Sequence, residues 1–202
     1  MPASPVRRAE RSAQTRHALV EASLRLFATK GYEATSTEEI AEAAGVSPRT
    51  FFRYFPTKES VLFFGAYDFM RSFHGVFIAQ PPGLSDLDAA RHALVVLAPG
   101  VSRLRERIQL YELAVGSSMV LRGREQVNRE QHARTMAEAI AERRGLRRPD
   151  AACELLASIC HVVLRRALEE WLHGPVRGDL AVVLGQQFDL LATEVARASV
   201  HL

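Results

Sequence analysis

The chain of 202 residues has no run of about 18 apolar residues, so no membrane-spanning helix is expected. Its N-terminal stretch, MPASPVRRAERSAQ, lacks the apolar core of a signal peptide. There are two cysteines, Cys153 and Cys160. On one helix they would stand about 10 Å apart along the axis, too far for a disulfide within the chain, and a reducing cytoplasm is the simplest location. GxSxG, a glycine-rich phosphate loop, paired carboxylates, CxxC and HxxxH are all missing. No catalytic set, no metal site and no cofactor is therefore expected. Alternating apolar and polar positions are missing too, and glycine and proline are scarce inside the periodic segments. Ala, Leu, Glu and Arg dominate, which favours helix. The expected fold class is all-α.

What is present is a series of amphipathic segments. Hydrophobic residues make up 48%, charged residues 24%, and the net charge is +3. That excess of positive charge is too small to identify a partner, so its distribution matters more than its total. Arg7, Arg8 and Arg11 form a basic stretch within residues 1–14, expected as a flexible arm. From Thr15 to Lys30 apolar residues recur at helical spacing, and Gly31 ends that segment. Ser36 with Glu39 three residues on is a capping box for a short helix that Gly45 stops. Ser47 is a good N-cap and Pro48 suits the first helical position, so a second short helix runs to Phe55. Lys58 is expected to open a long helix reaching about Ala79, before the QPPG break. Further helices are expected over about 85–98, 101–121, 124–144, 149–173 and 179–200, punctuated by Gly100, Gly123, Gly145 and Gly174-Pro175.

Two short helices joined by AGVS make a helix-turn-helix. Ala44 lets the helices approach, Gly45 supplies the left-handed turn conformation, and Val46 plugs the corner. In the second helix Phe51 and Phe55 lie four apart and face inward. Arg49, Thr50, Phe52, Arg53 and Tyr54 remain for the outer face. Arginine reads guanine edges in the major groove, and Thr or Phe contacts a thymine methyl.

The stretch GYEATSTEEIAEAAGVSPRTFFRYFPTKESVL resembles the DNA-binding domain of TetR-type transcriptional regulators. The matching positions, among them Phe27, Gly31, Tyr32, Thr35, Ile40, Ala44, Gly45, Thr50, Phe55, Lys58 and Leu62, run from Thr15 to about Phe69. The resemblance implies an N-terminal three-helix DNA-binding domain over 15–60 and a helical domain over 61–202 that dimerises and holds a small effector. It implies a homodimer on a palindromic double-stranded operator, and a cytoplasmic repressor released by its effector. Carried over position by position, Ser36 and Thr37 touch phosphate, Ser47, Pro48, Arg49, Thr50 and Arg53 face bases or nearby backbone, and Tyr54 and Lys58 grip phosphates. Position 52 is often tyrosine in the family; Phe52 keeps the apolar base contact without a phenol.

Beyond about Ala79 the residues speak by pattern alone. Broad apolar stripes on the last two helices suit a four-helix dimer interface, with Leu168, Trp171, Leu184, Phe188 and Leu191 as candidates. Phe69, Phe73 and Phe77 recur every four residues, and with Tyr111, Met119 and Met136 they are candidate walls for an apolar or amphipathic effector. RTFFRYFP together with LRRALEEWL resembles TetR-type regulators with acyl-CoA-like ligand domains, such as the mycofactocin-associated ones.

Overall fold

The computed structural model describes residues 5–175 and 178–199. Among them there are nine α-helices and no strand: α1 (Pro5–Lys30), α2 (Thr37–Ala43), α3 (Pro48–Tyr54), α4 (Ala66–Ile78), α5 (Asp86–Ser102), α6 (Arg105–Ser117), α7 (Met119–Arg143), α8 (Ala151–His173) and α9 (Leu180–Ser199), with one turn of 3-10 helix over Glu59–Val61. The all-α expectation holds. No helix among the described residues is long and apolar enough to cross a membrane.

The chain folds as two compact units. The first comprises Met1–Ala66 and Glu106–Asn128, and the second Tyr67–Arg105 and Arg129–Leu202. The first unit therefore draws on a later part of the chain than the 15–60 span read from the sequence. Its core joins Leu19, Leu24 and Phe27 of α1, Ile40 of α2, Phe51 and Phe55, and Ala114, Val115 and Leu121 from the corner between α6 and α7. Polar bonds reinforce that corner: Ser118 Oγ donates to Glu33 at 2.6 Å, Arg124 pairs with Glu59 at 3.4 Å, and Arg107 pairs with Glu21 at 3.6 Å.

In the second unit α5, α8 and α9 pack against one another pairwise. Ala89, Ala90 and Ala93 are buried on α5; such small side chains permit close helix approach. Arg143 of α7 closes the loop after α4, donating to the carbonyls of Gln80 at 2.8 Å and Leu84 at 3.2 Å. Cys153 and Cys160 are buried free thiols, and burial pushes the Cys160 thiol up to about 12, so at neutral pH it is an unreactive space-filler.

Several boundaries differ from the sequence reading. Residues 5–14, expected as a flexible arm, continue α1. The expected helix from Lys58 is interrupted: the 3-10 turn ends near Val61, Gly65 takes φ +104, and α4 starts at Ala66. That φ lies far from the value of about −63° of a right-handed helix, so the helix cannot run through, and glycine accepts it without strain. Gly100 and Gly123 lie inside α5 and α7 rather than at their ends. The break falls instead at Ser118, whose hydroxyl accepts from the backbone N–H of Leu121 at 3.3 Å and caps α7. A glycine costs a helix interior only about 1 kcal/mol, less than packing returns. Val200, placed in the last helix, lies outside the described residues.

Candidate nucleic-acid interface

The helix-turn-helix is specified by local hydrogen bonds. Ser36 caps α2: its hydroxyl accepts from the Glu39 N–H at 3.1 Å, and the Glu39 carboxylate accepts from the Ser36 N–H at 2.8 Å. Lys30 reaches the same carboxylate. These donors, Lys30 first, hold the Glu39 carboxyl at about 2, well below its ordinary value. At the other end of α2, the N–H of Gly45 bonds to Glu42 O at 2.9 Å, and that of Val46 to Ala41 O at 2.9 Å. Gly45 sits at φ +68, in the left-handed region that lets the chain reverse within the turn. Ser47 then caps α3, accepting from the Thr50 N–H at 3.2 Å, with Pro48 in the first turn.

Seven residues of α3 must divide four aromatics between two faces when Phe55 is counted at its C-cap. Phe51 and Phe55 are buried, with ring centroids 5.8 Å apart. Phe52 is 52% exposed although it packs edge-on against Phe51. Arg49 and Arg53 are exposed, as are Ser47 and Pro48, while Thr50 is half-buried. The outward face of α3 thus carries two guanidiniums and a bare phenyl ring. An exposed ring next to cations is costly as mere surface and suited to a base edge.

Tyr54 is fixed from behind. Arg16 of α1 places its guanidinium 5.5 Å from the Tyr54 ring and 4.9 Å from the Phe64 ring, and Arg53 lies 5.0 Å from Tyr54. A hydrogen bond with Ser12, helped by Arg53, holds the Tyr54 phenol below its ordinary pKa. The supporting role of Ser12 and Arg16 was not read from the sequence; their spacing to Leu19, continuing the inner face of α1 backward, was the available signal. Lys58 is turned inward. Its ammonium donates to the carbonyls of Tyr32 at 2.7 Å and Thr35 at 2.9 Å and lies 4.0 Å from the Tyr32 ring centroid. Two of its three N–H groups are therefore occupied. Tyr32, buried and bonded to Glu59 at 3.1 Å, is pushed up to about 12, chiefly by burial. Ser36 is engaged in its capping box, and Thr37 Oγ1 donates to Glu38 at 3.1 Å. Arg7 and Arg11 are exposed on α1; the Arg8 side chain lies outside the described residues.

The effector candidates divide between the units. Tyr111 belongs to the first, where it meets Phe63 edge-on at 6.1 Å and bonds to Glu125. Met119, also in the first unit, is 81% exposed. In the second unit Phe73 and Phe77 are fully buried and stacked at 5.5 Å, Met136 is buried, and Phe69 is half-buried. That unit has a pocket of about 190 Å³ lined by Ala133, Arg134, Ala137, Pro149, Glu154 and Ser158. It is smaller than the roughly 300–1,000 Å³ usual for a ligand site, and none of the six candidates lines it. Of the interface candidates, Trp171, Leu184 and Phe188 are buried within the chain itself, because α9 packs on α5 and α8. Leu168 and Leu191 remain half-buried.

This geometry defines a helix-turn-helix protein with a helical companion unit, and comparison with known proteins agrees. The profile of bacterial regulatory proteins of the tetR family matches residues 19–63, and that of the MftR C-terminal domain matches residues 85–196, more than half of the chain. The chain belongs to the TetR family, whose members are transcriptional regulators and not enzymes. Its second part is of the MftR C-terminal type. The HTH-type transcriptional regulator TcmR of Streptomyces glaucescens is 39% identical over 88 residues, which make up 44% of this chain and 39% of that protein. The match thus spans well under half of that relative. A protein named as the mycofactocin biosynthesis transcriptional regulator MftR, from Mycobacterium tuberculosis, is 26% identical over 93% of this chain and 94% of its own length. Among solved structures, Thermus thermophilus FadR, a TetR-family repressor in complex with lauroyl-CoA, is 26% identical with a TM-score of 0.56, covering 88% of this chain and 93% of that one. The SmeT–triclosan complex, at 19% identity and a TM-score of 0.61 over 87% and 90%, shares the fold.

Proposed function

We propose that this protein is a cytoplasmic, ligand-responsive repressor that binds a palindromic operator as a homodimer and is released by a small apolar or amphipathic effector. The observation that carries the reading is the outer face of α3, where Arg49, Phe52 and Arg53 stand exposed on a helix locked from behind by Phe51 and Phe55. Arg49 and Arg53 serve as base readers, and Phe52 as the contact for a thymine methyl. Ser47, Pro48 and Thr50 lie at the N-terminal end of the helix, which enters the groove first in this motif. Tyr54, the remaining N–H of Lys58, and Ser36 and Thr37 at the start of α2 serve the flanking phosphates.

Dimerisation is supported by apolar side chains left exposed on the last two helices: Leu155 and Val162 on α8, and Val182, Leu190 and Val195 on α9. Leu155 and Val162, seven apart, share one side of α8, and Leu191 and Val195, four apart, share one side of α9, surfaces for a second copy. The effector class rests on the apolar interior of the second unit and on likeness to the lauroyl-CoA-bound FadR. Selection of binding sites from a random duplex pool tests the reading. Enrichment of a palindrome with half-sites about one helical turn apart supports it, and acyl-CoAs of graded chain length added to the selected duplex then test release. A pool that never departs from its starting composition contradicts it.

A further inference from the structure

Arg16 sits on α1 one turn before the buried Leu19 and Val20. Residues three and four apart share a helix face, so Arg16 stands at the edge of the first unit's core, where it is half-buried. What it meets there is aromatic. Its guanidinium lies 4.9 Å from the centroid of the Phe64 ring and 5.5 Å from that of Tyr54. Phe64 in turn meets the buried Phe55 edge-on at 5.9 Å. Arg16 is therefore mounted on rings that the core itself holds.

A guanidinium held by rings differs from one held by a carboxylate. A ring face attracts the cation through its quadrupole but brings no net charge to cancel it. Arg107 and Arg124 of the same unit face Glu21 at 3.6 Å and Glu59 at 3.4 Å. Among the described residues Arg16 has no carboxylate at such a range, so its positive charge is left uncompensated and its N–H fork is not spent on an anion of the protein.

The surroundings of Tyr54 point the same way. Arg53 places a second guanidinium 5.0 Å from the Tyr54 ring. The hydrogen bond with Ser12 first, and Arg53 after it, hold the Tyr54 phenol below its ordinary pKa, the effect of an environment that favours negative charge at that oxygen. Tyr54 is the last residue of α3, at the end opposite the Ser47 cap. The N-terminal end of this helix leads into the groove in such motifs, so the trailing end lies toward the phosphates along its edge, which position a protein without reporting sequence.

We infer that Arg16 and Tyr54 together form a backbone-phosphate site, a contact that α1 adds to the reading face of α3. The inference rests on the DNA-binding reading above and names a donor outside the helix-turn-helix. The occupant is a phosphodiester oxygen of the duplex, to which the guanidinium and the phenol both donate. The site strengthens binding to any duplex and sets no base preference.

The experiment titrates the full chain by anisotropy onto a labelled duplex from its own upstream DNA and onto a scrambled duplex, each across a salt series. The logarithm of affinity falls with the logarithm of salt by about 0.9 per phosphate neutralised. Arg16→Gln is expected to reduce that slope by about 0.9 on both duplexes, to weaken binding about tenfold at low salt, and to leave the ratio between the duplexes unchanged. Tyr54→Phe keeps the ring under Arg16 and removes only a neutral hydroxyl, so affinity falls on both duplexes while the slope stays at its wild-type value. Arg16→Met, which keeps an apolar stem against the rings, takes the place of the glutamine variant should that fail to fold, with the same slope expected. An unchanged slope in a folded Arg16 variant overturns the phosphate site. So does a loss of preference for the cognate duplex at constant slope, which makes Arg16 a brace for α3 instead. Absence of any anisotropy change in the wild type, even at low salt, defeats the DNA-binding reading, and the site with it.

Discussion

Two aromatic-rich helices of this protein have opposite fates. In α4, Phe73 and Phe77 stand four residues apart, lie on one face and are both fully buried. In α3, Phe51 and Phe55 also stand four apart and are buried, but Phe52 follows Phe51 directly and is left outside with Arg49 and Arg53. Aromatics in helical register are explained by packing. An aromatic out of register, among cations, is not, and that surplus points to function. The register of α4 equally explains why reading its phenylalanines as effector walls could not be separated from reading them as core.

The sharpest way to break this contrast is to truncate both kinds of ring. Phe51→Ala and Phe77→Ala are each expected to cost about 3–5 kcal/mol of stability in denaturant unfolding, from lost burial and the cavity left behind. Phe52→Ala is expected to stay within about 0.5 kcal/mol of the parent while weakening operator binding. Full operator affinity in Phe52→Ala would show that its exposure is incidental. Next in size, Arg49→Ala and Arg53→Ala are each expected to cost about 1–3 kcal/mol of specific binding, seen in titrations against operator and scrambled duplexes, and to leave the melting temperature nearly unchanged. Ser36→Ala is expected to cost about 1 kcal/mol of stability by removing the cap of α2, read from the same unfolding curves.

The smallest effect is a pH dependence. The Glu39 carboxyl is held at about 2 in the folded chain against an ordinary value of 4.5. A depressed carboxyl pKa contributes stability above the unfolded value and loses it as pH falls through the folded one. The contribution is therefore complete above about pH 4.5 and fades between there and about 2. Glu39→Gln should flatten that part of the melting-temperature profile. The effect is small because the pair with Lys30 is exposed to solvent.

What was legible in the sequence was what neighbours decide. Ser36 with Glu39, Gly45, and Ser47 with Pro48 act within four residues, and each does in the structure what its spacing indicates. What was not legible depends on distant partners. Lys58 looks like a surface cation until the carbonyls of Tyr32 and Thr35 fold against it. Trp171 looks like an interface anchor until Arg105 covers its ring. Ser118 outcompetes Gly123 as a boundary because its hydroxyl caps α7 and bonds to Glu33, far earlier in the chain. The N-terminal residues continue α1, and Ser12 and Arg16 on it meet Tyr54 of another helix. In the second unit a broad apolar stripe marks burial but not whether the covering surface is the same chain, a second copy or an effector.

The central claim is that the outer face of α3 reads DNA. The most direct measurement is fluorescence anisotropy of the purified protein on its own upstream DNA and on a scrambled duplex, across a salt series, beside the Arg49→Ala/Arg53→Ala double variant. The account predicts saturable binding by the wild type with a preference of about 10³ or more for the cognate duplex, and loss of that preference in the double variant while it stays folded. Retention of the wild-type preference by the double variant would contradict it.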